Sequence, residues 1–122
     1  MMEKVILVAD DSTSIRKFVT FALRELGYRV LTVADGMEAL ERLPSEHIDL
    51  IITDLNMPNV DGYEFIRTLR ETEEYRWIPV IILSSLANED DIQRGLMLGA
   101  NSYLVKPFNP KRIQYEVSKY LN

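Results

Sequence analysis

The sequence predicts an α/β fold in which five parallel strands form a doubly wound sheet with helices on both faces. Three observations predict it. Five short apolar runs recur along the chain. Several of them lack polar alternation, as expected for strands covered on both sides. Each is followed by a segment of helical length and periodicity, so strand and helix alternate five times. Right-handed crossovers then stack the helices as two layers around the sheet. A chain of 122 residues, 47% hydrophobic, suits one compact domain over 1–122.

The apolar runs are KVILVA (4–9), YRVLTV (28–33), LIIT (50–53), VIIL (80–83) and SYLV (102–105). In the first helix Ile15, Phe18, Ala22 and Leu26 recur at helical spacing, and Gly27 is its expected stop. Asp35 caps a second helix holding Met37, Ala39, Leu40 and Leu43, and Pro44 ends it. Asp61-Gly62 opens a third, with Phe65, Ile66 and Leu69 facing the core. Asp90 and Asp91 sit at the start of the fourth, where carboxylates suit the positive end of the dipole. Its residues Ile92, Leu96 and Gly99 share one face, and Gly95 and Leu98 lie on another. That is more apolar surface than one core stripe uses, so one set should pack on the sheet and the other should lie near Tyr103 and the last helix. Pro110 opens the fifth helix, with Ile113, Val117 and Tyr120 on one side. Trp77, just before Pro79, reads as a packing residue.

Composition narrows the chemistry. A net charge of −5 argues against direct, non-specific contact with nucleic acid. The absence of cysteine excludes disulfides, thiolate metal sites and a thiol nucleophile. The first apolar run is cut short by Asp10, too soon for a signal peptide or a membrane span. A cytoplasmic protein without membrane contact is the expectation.

In an open α/β sheet, ligands collect beyond the carboxyl ends of the strands. Four of the five strand ends carry residues that suit a common chemistry, namely Asp10-Asp11, Asp54, Ser84-Ser85 and Lys106-Pro107. Taken singly, each has a plainer reading as a helix cap, a turn residue or a solvated charge. If those four strands are neighbours, three carboxylates, a hydroxyl and one ammonium meet at a single rim. Three close carboxylates repel, and one lysine does not neutralise them. A divalent cation resolves the conflict, and ligation by carboxylates, a carbonyl and water is what Mg²⁺ prefers. His47 lies in a polar stretch and is not needed as a ligand.

The segments VADDS (8–12), DLNMPNVDG (54–62), PVIILSS (79–85) and SYLVKPF (102–108) resemble the receiver domains of two-component response regulators, in order and spacing, across essentially the whole chain. The likeness is strongest to small stand-alone chemotaxis regulators. It implies a flavodoxin-like three-layer sandwich with strand order 2-1-3-4-5. It also implies that Asp54 accepts a phosphoryl group from a sensor histidine kinase or phosphotransfer protein. Asp11 and Asp54 would hold Mg²⁺ through their side chains, Asp10 through water and Asn56 through its backbone carbonyl. Lys106 and Ser84 would hold phosphoryl oxygens, Tyr103 would be the aromatic switch, and Lys106-Pro107 would join through a cis bond. Ile92, Leu96 and Tyr103 would belong to a surface, made by the fourth helix, fifth strand and fifth helix, that binds a downstream protein or supports a phosphorylation-linked dimer.

One position departs from the chemotaxis pattern. Leu86 stands where those regulators carry an acidic residue, and it is expected to shield the acyl phosphate from water. Two other classes fit the residues less well. An aspartyl-phosphate phosphatase would carry a second acidic side chain where Asn56 stands. A flavodoxin-like cofactor binder would need a phosphate-cradling loop where Asp10-Asp11-Ser12-Thr13 is anionic. A receiver that has lost phosphorylation is disfavoured because every expected site residue is present. The chain should therefore act as a switch and not as an enzyme, at most adding and removing its own phosphoryl group. At 122 residues it leaves no room for a DNA-binding domain, so motility signalling or a phosphorelay is favoured over direct transcription control.

Overall fold

The structure is a computed structural model that describes residues 3–121. Strands β1 (Val5–Ala9), β2 (Arg29–Val33), β3 (Leu50–Thr53), β4 (Val80–Ser84) and β5 (Ser102–Val105) alternate with helices α1 (Thr13–Arg24), α2 (Gly36–Arg42), α3 (Gly62–Glu71), α4 (Glu89–Met97) and α5 (Pro110–Leu121). A 3₁₀ turn over Leu43–Ser45 follows α2 and holds Pro44. All strand pairs are parallel, in the order β2-β1-β3-β4-β5.

The side-chain period of two divides the central strands between two cores. On β1, Val5, Leu7 and Ala9 face α2 and α3, where Ala39, Phe65, Ile66 and Leu69 meet them. Ile6 and Val8 face the other way, toward Val19 and Leu23 of α1 and Ile113 and Val117 of α5. Every residue of β1, β3 and β4 is buried, which explains why their sequences show no polar alternation. Fully burying each aliphatic side chain contributes about 1.5–3 kcal/mol.

Caps set the helix starts. Ser12, Asp35, Asp61 and Asn88 accept N–H bonds from Ile15, Glu38, Glu64 and Asp91 respectively. Gly27, with φ of 87°, lies just past α1, as its sequence position predicts. Arg70 fastens α3 to the α4–β5 connection. Its guanidinium donates to the carbonyls of Gly99, Arg76 and Ile78 and to Asn101 Oδ1.

Two packing expectations are corrected, on α1 and α4, and Trp77 packs outside both cores. In α1 the buried residues are Val19, Ala22 and Leu23, while Phe18 and Leu26 are 38% and 47% exposed. A second helical stripe, offset by about one residue, meets the sheet instead. On α4 it is Gly95 that meets the sheet: a Cβ there would lie 2.6 Å from Ile82 Cδ1. Leu96 and Leu98 pack at the margin of the α2–α3 core, and Met97 is exposed. Trp77 is 54% exposed rather than packed in the core. Its ring stacks on His47 at 6.0 Å, and its indole N–H donates to the Glu74 carbonyl. No helix among the described residues is long and apolar enough to cross a membrane.

Candidate functional site

Strand register brings the polar strand ends to one rim. Ala9 pairs with Thr53, so Asp10 and Asp54 leave neighbouring strands at the same level, and the Asp54 N–H donates to the Ala9 carbonyl at 2.9 Å. Ser84 pairs with Val105, and the Lys106 N–H donates to the Ser84 carbonyl at 2.8 Å. One carboxylate oxygen from each of Asp10, Asp11 and Asp54 lies within 4.8 Å of the other two. Lys106 Nζ stands 3.3 Å from Asp10 Oδ2 and 3.5 Å from Asp54 Oδ2. The structure therefore gathers Asp10, Asp11, Asp54 and Lys106 at the carboxyl end of the sheet, at the crevice where the strand order reverses.

Local chemistry holds each group. Asp10 is buried, and its Oδ1 accepts the Ser12 N–H at 2.9 Å. Arg16 of α1 donates to the Asp10 carbonyl at 2.6 Å. Asp54 is also buried, and its Oδ1 accepts the Leu55 N–H at 2.7 Å. Gly62 lets α3 approach this backbone, since a Cβ there would sit 2.2 Å from the Asp54 carbonyl oxygen. Burial raises the Asp54 pKa above the ordinary carboxylate value, against the opposing pull of Lys106, and the charge of Asp10 adds to the rise. Asp11 remains exposed, open to a solvated ion.

Ser84 is 2% exposed, and its Oγ accepts the Leu86 N–H at 3.1 Å. The carbonyl of the same Leu86 accepts the Tyr103 hydroxyl at 2.7 Å. Leu86 thus bridges Ser84 to Tyr103, whose ring lies beside Gly95 of α4. Lys106-Pro107 is cis. Asn56 is exposed in the loop that follows Asp54. Ile92, Leu96 and Tyr103 are each partly buried.

The donor set fits a hard divalent cation. It is all oxygen and contains three carboxylates against a single ammonium, and one carboxylate lies open to water.

The chain matches the response regulator receiver domain family over residues 6–118. It belongs to that family. Among solved structures, the receiver resembles the chemotaxis response regulator CheY4 of Vibrio cholerae, with a TM-score of 0.91 at 37% identity, covering 98% of this chain and 99% of that one. It also resembles the receiver domain of sensor histidine kinase PA1611 from Pseudomonas aeruginosa PAO1, described with a magnesium ion coordinated in its active-site cleft. There the TM-score is 0.89 at 33% identity, covering 98% of each chain. Among curated proteins it is 42% identical over 119 residues to the probable transcriptional regulator ycf27 of Cyanophora paradoxa, covering 98% of this chain and 48% of that protein. The receiver spans about half the length of the curated relatives it matches. It is a receiver domain of two-component signalling.

Sequence reasoning missed three contacts around the site. Arg16 carried a signal, since a cation one helical turn past an Asp-Asp strand end is placed to bond the strand-end carbonyl. Phe18 and Phe108 meet edge to face at 6.0 Å beside Lys106 and Pro107. That pair joins residues 90 positions apart, which no local pattern reveals. The third is a bond from Asn59 to Asp35.

Proposed function

We propose that residues 1–122 form one phosphorylation-driven switch in which Asp54 accepts a phosphoryl group from a phosphohistidine on a kinase or phosphotransfer protein. The observation that carries this reading is the meeting of Asp10, Asp11, Asp54 and Lys106 at one rim. Asp11 and Asp54 would hold Mg²⁺ through their side chains, Asn56 through its carbonyl and Asp10 through water. The ion supplies positive charge against which phosphoryl oxygens are stabilised.

The receiver's own residues do the rest. An Asp54 carboxylate oxygen attacks phosphorus as the P–N bond to the donor imidazole breaks, and the electron pair returns to that nitrogen. The product is an acyl phosphate carrying about 1.5–2 negative charges. Lys106, already against Asp54, donates to a phosphoryl oxygen, and alignment with charge neutralisation is most of what such transfer needs. Ser84 donates to another by moving toward it. Because Leu86 bonds both Ser84 and Tyr103, that motion pulls on the Tyr103 hydroxyl and on the β4–α4 loop. The face made of α4, β5 and α5, with Ile92, Leu96 and Tyr103, changes as a two-state element and binds its target, or a second receiver, differently in each state. Chemistry is confined to the receiver's own Asp54, without turnover of a separate substrate.

Incubation with acetyl phosphate and Mg²⁺ tests the reading. The expected result is one Mg²⁺-dependent phosphoryl group, trapped by borohydride reduction and mapped to Asp54. An adduct elsewhere, or equal labelling in chelator, overturns it. Mg²⁺ alone should raise the melting temperature, by an amount equivalent to about 1.4 kcal/mol at ten times Kd. Asp11→Ala should abolish that shift in differential scanning calorimetry. Leu86 is half-buried against the α2–α3 core, consistent with a side chain that excludes water. Leu86→Glu should hasten loss of the phosphoryl group by roughly tenfold through a carboxylate that orients water. An unchanged decay rate removes Leu86 from that role.

The length of the curated relatives favours a second reading of the output. Several are named as transcriptional regulators and are about twice as long. In that reading the receiver is the input half of such a regulator, and contact with nucleic acid lies outside residues 1–122. The size of the native protein on an immunoblot separates this from a stand-alone, cytoplasmic receiver with a protein target.

A further inference from the structure

The loop 55–61 joins Asp54 to α3 and carries Asn56. Its ends are fixed from within: Leu55 donates to Asp54 Oδ1, and the Gly62 N–H donates to the Leu55 carbonyl at 2.9 Å. Met57 and Val60 anchor it from below, at 8% and 6% exposure. Its middle is fixed from a different part of the fold. Asn59 has φ of 67°, the one positive value at a non-glycine position among the described residues. Asparagine tolerates this left-handed region better than most side chains. Its Nδ2 donates to Asp35 Oδ2 at 2.9 Å, across 24 residues of sequence. Beside it, the Val60 carbonyl accepts the Gly36 N–H at 3.1 Å. A Cβ on Gly36 would lie 2.3 Å from that same oxygen, so α2 begins with glycine where the loop rests on it. Asp35 uses its other oxygen to cap α2 through the Glu38 N–H at 2.8 Å. One carboxylate thus holds both the helix start and the loop.

We propose that Asn59 is a positioning residue for the cation site. By bonding Asp35 from a left-handed backbone, it holds the 55–61 loop at the rim and fixes where the Asn56 carbonyl stands relative to Asp11 and Asp54. This rests on the cation reading given above. Asn59 touches neither the ion nor the phosphoryl group and acts only through the loop. Because Asn59 is exposed, its replacement leaves both cores intact and shifts binding more than folding.

The test is a MgCl₂ titration of the whole chain, followed by backbone amide NMR shifts. It is paired with the Mg²⁺ concentration that half-saturates labelling by acetyl phosphate. Asn59→Ala is expected to raise the Mg²⁺ Kd about five- to tenfold, with amide shifts outside the two loops unchanged. The half-saturating Mg²⁺ concentration should rise in parallel while the maximal labelling rate moves far less. Asn59→Asp, which sets two carboxylates face to face, should weaken binding at least as much. Adding Asp35→Asn to Asn59→Asp reverses donor and acceptor and keeps a good α2 cap, so Kd should return to within about twofold of wild type. A lowered melting temperature with unchanged Mg²⁺ Kd in Asn59→Ala assigns the bond to stability alone and overturns the proposal. Failure of the reversed pair to restore binding overturns it too. Absence of saturable Mg²⁺ shifts in the wild type removes the cation reading itself, and the proposal with it.

Discussion

Asp54→Asn should lose phosphoryl labelling by more than about a thousandfold, because the amide oxygen is a far weaker nucleophile than a carboxylate. The same substitution should make the metal-free protein more stable at neutral pH. The ionised carboxylate of Asp54 is buried beside Asp10, and Lys106 only partly offsets the cost. Its folded-state pKa is raised above the unfolded value, so the penalty exists once pH exceeds the folded pKa. It fades as pH falls through the folded pKa and is gone below the unfolded value, near 3.8, where both states are protonated. The gain from Asp54→Asn should therefore grow as pH rises from the unfolded value through the folded pKa, and disappear in acid. Each kcal/mol corresponds to roughly 4 °C in a domain of this size. Thermal melts of both proteins in chelator at several pH values measure it. A destabilised variant at pH 7 would show that Asp54 is held by favourable bonds and carries no stored repulsion.

Lys106→Ala should act in the opposite sense on stability and in the same sense on labelling. Its ammonium is the one cation within 4 Å of the Asp10 and Asp54 carboxylates among the described residues. Removing it leaves two buried carboxylates unpaired, a change that costs about 3–5 kcal/mol in buried pairs generally. Labelling by acetyl phosphate should fall about a hundred- to a thousandfold, the usual loss when one preorganised donor is taken from developing charge. Added Mg²⁺ should recover part of the stability and little of the rate. Lys106→Arg should recover the stability better than the rate, because a planar guanidinium places its N–H groups differently from a compact ammonium. Calorimetry and labelling kinetics on the three proteins separate the two roles. Wild-type labelling in Lys106→Ala would sink the assignment.

The strands and the rim were legible for a physical reason. Strands buried on both faces admit few polar residues, so β1, β3 and β4 stand out as apolar runs, and the polar residue that ends each run is visible by contrast. The cap at Asp35 and the stop at Gly27 were legible because backbone geometry restricts which residues serve there. The α1 face was not. Ile15, Phe18, Ala22 and Leu26 fit a helical stripe as well as Ile15, Val19, Ala22 and Leu23 do. Only the space over Ile6 and Val8 decides between them, and that space belongs to α5 as much as to α1. Trp77 packs, as its type suggests, but its partner is an exposed imidazole that no periodicity points to. The bond from Asn59 to Asp35 joins two turns, and no periodicity connects turns.

The ion pair between Asp10 and Lys106 spans 96 positions of sequence and reaches the last strand. A chain lacking a docked β5 would keep most of one core yet leave the rim without its ammonium. On the phosphoryl-transfer reading, a receiver without a docked β5 would lack that ammonium and would accept a phosphoryl group poorly. Fraying of that one edge would then cost the switch its input before it cost the molecule its larger core.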